Sequence, residues 1–218
     1  MFSTELGINF FGNESNKKRK LNQTMENGNM KNVPTMQKDC YKAFHQKAYH
    51  PDVTTVYSNY TNRSGKLSNV KDNENVMFVG LQYFIKSYLM EEWATFFNQP
   101  KCTAVANHKR ILSAMLGYDF DVTYLESLHD LGYLPLRIKA LPEGTLVPYQ
   151  VPCLTITNTI DGFQWLPNMI ETVLSAEIWG MQTSATTSLA YYKQFKNYAK
   201  VTGADKELVK FQGHDFSF

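Results

Sequence analysis

No run of apolar residues in this 218-residue chain approaches the length of a membrane span, and no signal peptide opens it. Cysteine is scarce. Cys40, Cys102 and Cys153 are odd in number and share no metal-ligand spacing, which argues against a disulfide framework or a metal cluster. Free thiols in a reducing cytoplasm are the expected state. Charge of one sign is lacking too. The 22 Lys and Arg against 20 Asp and Glu leave a net +2, without the basic stripe that a nucleic-acid grip requires. The four Asn-x-Ser/Thr sequons, at Asn13, Asn22, Asn59 and Asn62, read as chance occurrences in an Asn-rich cytoplasmic chain. What the chain does hold is 43% hydrophobic and 14% aromatic residues, ample for one large packed domain or two small ones.

The first 32 residues differ from the rest. They are rich in Asn and Lys, carry the basic run Lys17–Lys18–Arg19–Lys20 and lack apolar periodicity, so they read as a disordered polar extension. From Val33 the pattern changes. Asp39 to Tyr49 suits a short helix with Tyr41, Phe44, Ala48 and Tyr49 on one face. Thr54 to Tyr60 alternates as a strand does, and 62–75 is a polar loop. Val76 to Tyr88 carries apolar residues at helical intervals, with Gly80 marking a close backbone approach. Residues 91–129 read as helical and aromatic-rich. Leu136 to Ala140 is a strand with Arg137 and Lys139 on its wet face. Pro142–Glu143–Gly144 is a turn, and strands follow at 145–147 and 151–157. Helices are expected from Pro167 and again over 183–200, the second capped by Gly203. An apolar run from Leu208 into His214–Asp215–Phe216 reads as a strand over 208–216 that delivers polar groups to a pocket. The succession is an α/β pattern.

Six segments in order carry a resemblance: Asp39–Cys40–Tyr41–Lys42–Ala43–Phe44–His45; Val56–Tyr57–Ser58; Phe78 through Tyr83; Leu134 through Gly144; Trp165 through Thr172; and His214–Asp215–Phe216. With these, the chain from Val33 onward resembles the nicotinamide phosphoribosyltransferase family, within the type II phosphoribosyltransferases. The resemblance implies an N-terminal mixed α+β sheet domain over 33–165 and the start of a truncated, irregular α/β barrel over 166–218. It also implies a reaction in NAD salvage, in which nicotinamide attacks phosphoribosyl pyrophosphate to give nicotinamide mononucleotide and pyrophosphate. Mg²⁺ would accompany the pyrophosphate donor, and the full-length enzyme could couple the reaction to ATP.

The resemblance further implies a homodimer with shared active sites. Phe216 would stack on one face of the pyridine and Tyr41 of the neighbouring subunit on the other, while Arg63 would reach the pyrophosphate across the interface. His214 and Asp215 belong to the same substrate-binding motif. Adjacent strand residues point to opposite faces, so these two do not form a simple dyad. Lys42 and His45 stay open between ligand contact and structure. No catalytic residue and no metal ligand is assigned within the chain.

By position alone the same residues read more plainly. Tyr41 would be a half-buried aromatic, Phe216 core packing and Arg63 a solvated charge. His108 and His129 would be structural or exposed.

Three further elements implied by the family would follow Phe218: an arginine that orients the pyridine, an acidic residue that contacts the carboxamide, and a phosphorylated histidine. The chain is therefore expected to be an N-terminal portion, inactive alone and with uncovered apolar faces. Two other readings remain open at this point: nicotinate phosphoribosyltransferase, and a non-catalytic remnant.

Overall fold

The computed structural model describes residues 4–5, 33–70 and 73–213. The expectations for the rest of the first 32 residues and for His214, Asp215 and Phe216 lie outside the described residues.

Four strands make the main antiparallel sheet, in the order β1–β4–β6–β2: Thr4–Glu5, Leu136–Ala140, Pro152–Asn158 and Tyr57–Thr61. The two-residue β1 pairs Thr4 with Ala140, so this part of the N-terminal extension is a strand rather than disordered. β6 lies in the middle, pairing Ile138 with Ile156 on one side and Ser58 with Ile156 on the other. Its Cys153, Leu154 and Ile156 are buried, whereas Arg137 and Lys139 of β4 are exposed, as their alternation implied. A second antiparallel pair joins β3 (Asn75–Met77) to β5 (Leu146–Pro148).

The expected strand at Thr54 to Tyr60 begins later, at Tyr57. Residues 54–56 have another partner. The buried Asn158 side chain accepts from the Val56 N–H at 2.8 Å and donates to the Thr54 carbonyl at 2.8 Å. A side-chain clamp thus replaces the ladder over that stretch.

Among the described residues, five helices complete the mixed α/β fold. A 3₁₀ turn at Cys40–Phe44 runs into α1 (His45–Ala48). α2 is a rod of three parts, Leu81–Phe84, a π-helical Ile85–Glu92 and Trp93–Phe97. α3 is Lys101–Leu116, α4 is Thr123–Leu131 and α5 is Leu166–Thr202. The π stretch has a packing reason. Phe84, Tyr88, Trp93 and Phe96 are all buried, and the five-residue step from Tyr88 to Trp93 would leave an α-helical face. The wider turn returns Trp93 to the core, edge-on to Phe96 at 5.6 Å.

Several expectations need correcting. Val76 is a strand residue, and α2 begins only after Gly80, whose φ of +102° an L side chain rarely adopts. The close approach expected at Gly80 is real, since a Cβ there would lie 2.8 Å from Met181 Sδ. In the 3₁₀ turn, Lys42 and Ala43 are buried while Tyr41 and Phe44 are exposed, the reverse of the amphipathic reading. The two helices expected after Pro167 are one continuous α5, which runs through Gly180 without a break. Along its distal half, past Gln182, only Ala199 is buried. Residues Leu208–Phe211 form a 3₁₀ turn where a strand was expected. No barrel is present among the described residues. The turn at Pro142–Glu143–Gly144 stands, with Gly144 at φ +87°.

Candidate functional site

The 3₁₀ turn that carries Tyr41 is fastened to α5 from beneath. The Lys42 side chain is only 3% exposed, and an ammonium ion so placed needs an acceptor for each of its three protons. It has three: Asp39 Oδ2 at 3.1 Å, Thr172 Oγ1 at 2.7 Å and the Glu171 carboxylate. Thr172 Oγ1 in turn donates to Asp39 Oδ2 at 2.9 Å. Asp39, Lys42 and Thr172 therefore bond one another in a closed triangle. Burial works against the charge on Lys42, yet the hydrogen bonds to Glu171 and Asp39 prevail and raise its pKa above 10.5. Burial pushes Glu171 up, but the bond to Lys42 outweighs it and its carboxyl sits below its ordinary value. Asp39 is also lowered, chiefly by its bond to Lys42.

Tyr41 itself stands 61% exposed, so its ring is free to stack. The Lys42 ammonium lies 5.9 Å from the Tyr41 centroid, and the His45 ring lies 5.5 Å from it at a tilt of 55°. His45 is held below its ordinary pKa, first by burial and then by the charges of Lys42 and Lys38. Beside it, Asn168 of α5 donates to the Tyr49 hydroxyl at 2.5 Å and accepts from Ser58 Oγ at 3.2 Å. One asparagine thereby joins α1, β2 and α5.

Arg63 follows β2 on a loop and is exposed. The turn between β5 and β6 fixes that loop. Gln150, at φ +66°, donates its N–H to the Asn62 carbonyl at 2.7 Å. Tyr149 lies against Gly65, where a Cβ would fall 2.7 Å from the ring. Tyr41 and Arg63 sit on separate elements, and no contact between them is present within this chain. Among the described residues no group of three or more His, Cys, Asp or Glu could hold a metal ion. His108 and His129 are structural. His108 meets the Tyr124 hydroxyl at 3.0 Å, and His129 meets the Gln99 carbonyl at 2.8 Å.

No family model matches the chain. Over 183 residues, 82% of this chain, it is 49% identical to a nicotinamide phosphoribosyltransferase of Acinetobacter baylyi, of which it spans 36%. The chain is a partial homologue of nicotinamide phosphoribosyltransferase. A nicotinamide phosphoribosyltransferase of Mycoplasma genitalium is 28% identical over 195 residues, of which the chain spans 42%. The chain thus spans well under half the length of these relatives. In fold it is similar to the crystal structure of human nicotinic acid phosphoribosyltransferase, with a TM-score of 0.51 at 19% identity over 74% of this chain and 28% of that one.

Tyr41 and Arg63 are candidates through the nicotinamide phosphoribosyltransferase resemblance; sequence reasoning did not single out Glu171, Thr172 and Asn168, which brace the turn that carries Tyr41 and the chain beside it. The signal was nevertheless there. All three lie in the Trp165–Thr172 segment, and they bond to residues of the Asp39–His45 and Val56–Ser58 segments or beside them. The resembling segments are thus contacts in space. Another such pair is Glu143, whose carboxylate accepts from the Gln82 N–H at the start of α2 at 2.8 Å, joining the Leu134–Gly144 and Phe78–Tyr83 segments.

Proposed function

We propose that this chain is the N-terminal portion of a nicotinamide phosphoribosyltransferase, which transfers phosphoribosyl from phosphoribosyl pyrophosphate to nicotinamide in NAD salvage. The observation that carries the reading is the 49% identity over 183 residues. The ring nitrogen of nicotinamide attacks the anomeric carbon, the bond to pyrophosphate breaks, and the electron pair leaves with the pyrophosphate. The product is a pyridinium. Aromatic faces on either side of the ring attract that charge as it forms. Tyr41 supplies one face from a turn that leaves it exposed, and Phe216 supplies the other in a neighbouring subunit of a homodimer. His214 and Asp215 flank that second face. Arg63, exposed on its loop, offers the donor a guanidinium fork. Mg²⁺ arrives with the donor, carried by its pyrophosphate oxygens. The amide is favoured over the acid as substrate because the sequence relatives are nicotinamide enzymes, whereas the nicotinic acid enzyme is similar in fold alone.

The test uses the chain in two forms. Incubated alone with nicotinamide, phosphoribosyl pyrophosphate and Mg²⁺, the 218 residues are expected to yield no mononucleotide. Exchanged for the aligned part of the Acinetobacter baylyi protein, they are expected to support turnover. In that chimera, Phe216→Ala and Tyr41→Ala should each impair nicotinamide use severely. A chimera that folds but prefers nicotinate, or that is indifferent to both substitutions, would overturn the reading.

A further inference from the structure

The two segments that meet beneath Tyr41 do more than pack. Tyr41 lies between Asp39 and Lys42 in sequence, and both of those neighbours are tied to Thr172 of α5, Lys42 to the adjacent Glu171 as well. Asp39 bonds Thr172 through its carboxylate at 2.9 Å and its backbone N–H at 3.4 Å. Lys42 bonds Thr172 and Glu171. The peptide that bears Tyr41 is therefore anchored on both sides to one turn of a 37-residue helix. Exposure marks the direction of the device. The ammonium side chain is 3% exposed, while Asp39 and Glu171 are 46% and 50% exposed, so the lysine is threaded inward and the carboxylates close over it. A lysine serving an incoming phosphate would keep its protons facing solvent. Here all three are spent.

We infer that Lys42 is a positioning residue: its ammonium, locked to Asp39, Glu171 and Thr172, fixes the height and tilt at which the Tyr41 ring is presented. What the ring is presented to rests on the reading above, in which a pyridine stacks on Tyr41. The lock itself is a property of this chain and is tested without substrate.

The experiment follows the Tyr41 ring by ¹³C–¹H NMR in the full chain with labelled tyrosine, the signal assigned with Tyr41→Phe. The native chain should give a Tyr41 signal displaced from that of a free tyrosine by the neighbouring Lys42 and His45. Lys42→Met should move it toward the free-tyrosine position while the signals of Tyr88, buried in the core, and of Tyr124, half-buried against it, stay in place. Lys42→Arg should restore part of the displacement, which a merely volume-filling role would not require. Thr172→Val leaves both ion pairs standing and removes one acceptor, so it carries the same test if Lys42→Met does not fold. A Tyr41 signal unmoved by Lys42→Met, or by Thr172→Val in its place, in a chain whose core signals are native would overturn the inference. Because no turnover is read, a failed chimera would count against the proposed reaction and leave this result as it stands.

Discussion

Lys42 and Glu171, 129 residues apart in sequence, form an ion pair that closes the opening 3₁₀ turn onto α5. Its cost and its gain are unequal on the two sides. The ammonium is nearly buried, whereas the carboxylate is half exposed and can recover water if its partner is lost. Glu171→Gln should therefore be mild, because Lys42 keeps Asp39 and Thr172. We expect a loss near the lower end of about 1.5–3 kcal/mol in urea denaturation, the usual scale for a hydrogen bond to a charged group. Asp39→Asn combined with it should cost more than the sum of the two single changes, since the buried ammonium would then face no anion. Simple additivity would mean that the pair does not share the lysine.

Gly80, the residue before α2, sits against Met181 of α5. An alanine at Gly80 meets two obstacles: φ of +102°, and a Cβ placed 2.8 Å from Met181 Sδ. The sulfur can move aside, but the dihedral cannot. Gly80→Ala should cost about 1–3 kcal/mol, seen as a lowered denaturant midpoint. Met181→Ala in the same chain should recover only the steric part. Full recovery would show that the backbone strain is small.

Much of the fold was legible because local chemistry and tertiary context agree there. Leu136–Ala140 alternates, and the sheet buries it by alternation. Pro142–Glu143–Gly144 turns because Gly144 accepts a positive φ. The misreadings share one cause, which is tertiary partners that override a local period. Thr54 to Val56 are β-branched, yet Asn158 takes their hydrogen bonds. Tyr41 and Phe44 fall on an apolar face in the sequence, but the buried position goes to Lys42 because α5 offers it three acceptors. Nothing within Asp39–His45 announces Glu171 and Thr172. The candidate residues for a ring-binding role could be named only through resemblance. The supports of the turn that carries Tyr41 emerged once α5 was in place.

Lys38 and His108 predict how stability follows pH. Both are buried bases next to the Tyr124 side chain; Lys38 Nζ lies 5.9 Å from its ring centre and His108 meets its hydroxyl. Burial lowers Lys38 from 10.5 to about 7 and His108 from 6.5 to about 3. Between about 7 and 10.5 for Lys38, and between about 3 and 6.5 for His108, the unfolded chain holds a proton that the folded chain has released. Stability therefore falls as pH drops through each window. Asp39 and Glu171 act in the same direction at lower pH, since their depressed values forfeit stability as they become protonated. The Tm should accordingly climb from about pH 4 to about pH 9. Lys38→Met should flatten the rise above pH 7 and weaken the acid arm without abolishing it, since burial is the larger cause of the His108 shift and the Lys38 charge the smaller. A Tm that declines from pH 7 to pH 9 would show that Lys38 keeps its charge in the folded chain.

The long helix should divide in its dynamics where its burial divides. From Leu166 to Gln182, α5 contributes Met169, Ile170, Leu174, Ile178 and Gln182 to the interior. Past Gln182 only Ala199 is buried, while Tyr191, Tyr198 and Val201 stand 59%, 66% and 85% exposed. A helix segment without a packed face has little beyond its own propensity to hold it, and protection against hydrogen exchange follows packing. Amides of residues 184–202 should exchange at least on the order of tenfold faster than those of 168–182 in the isolated chain. In the chimera with the Acinetobacter baylyi protein, the same amides should slow if the added length covers those aromatics. Uniform protection along α5 in the isolated chain would mean that its distal half is already covered, by self-association, and a concentration series in sedimentation would then reveal it.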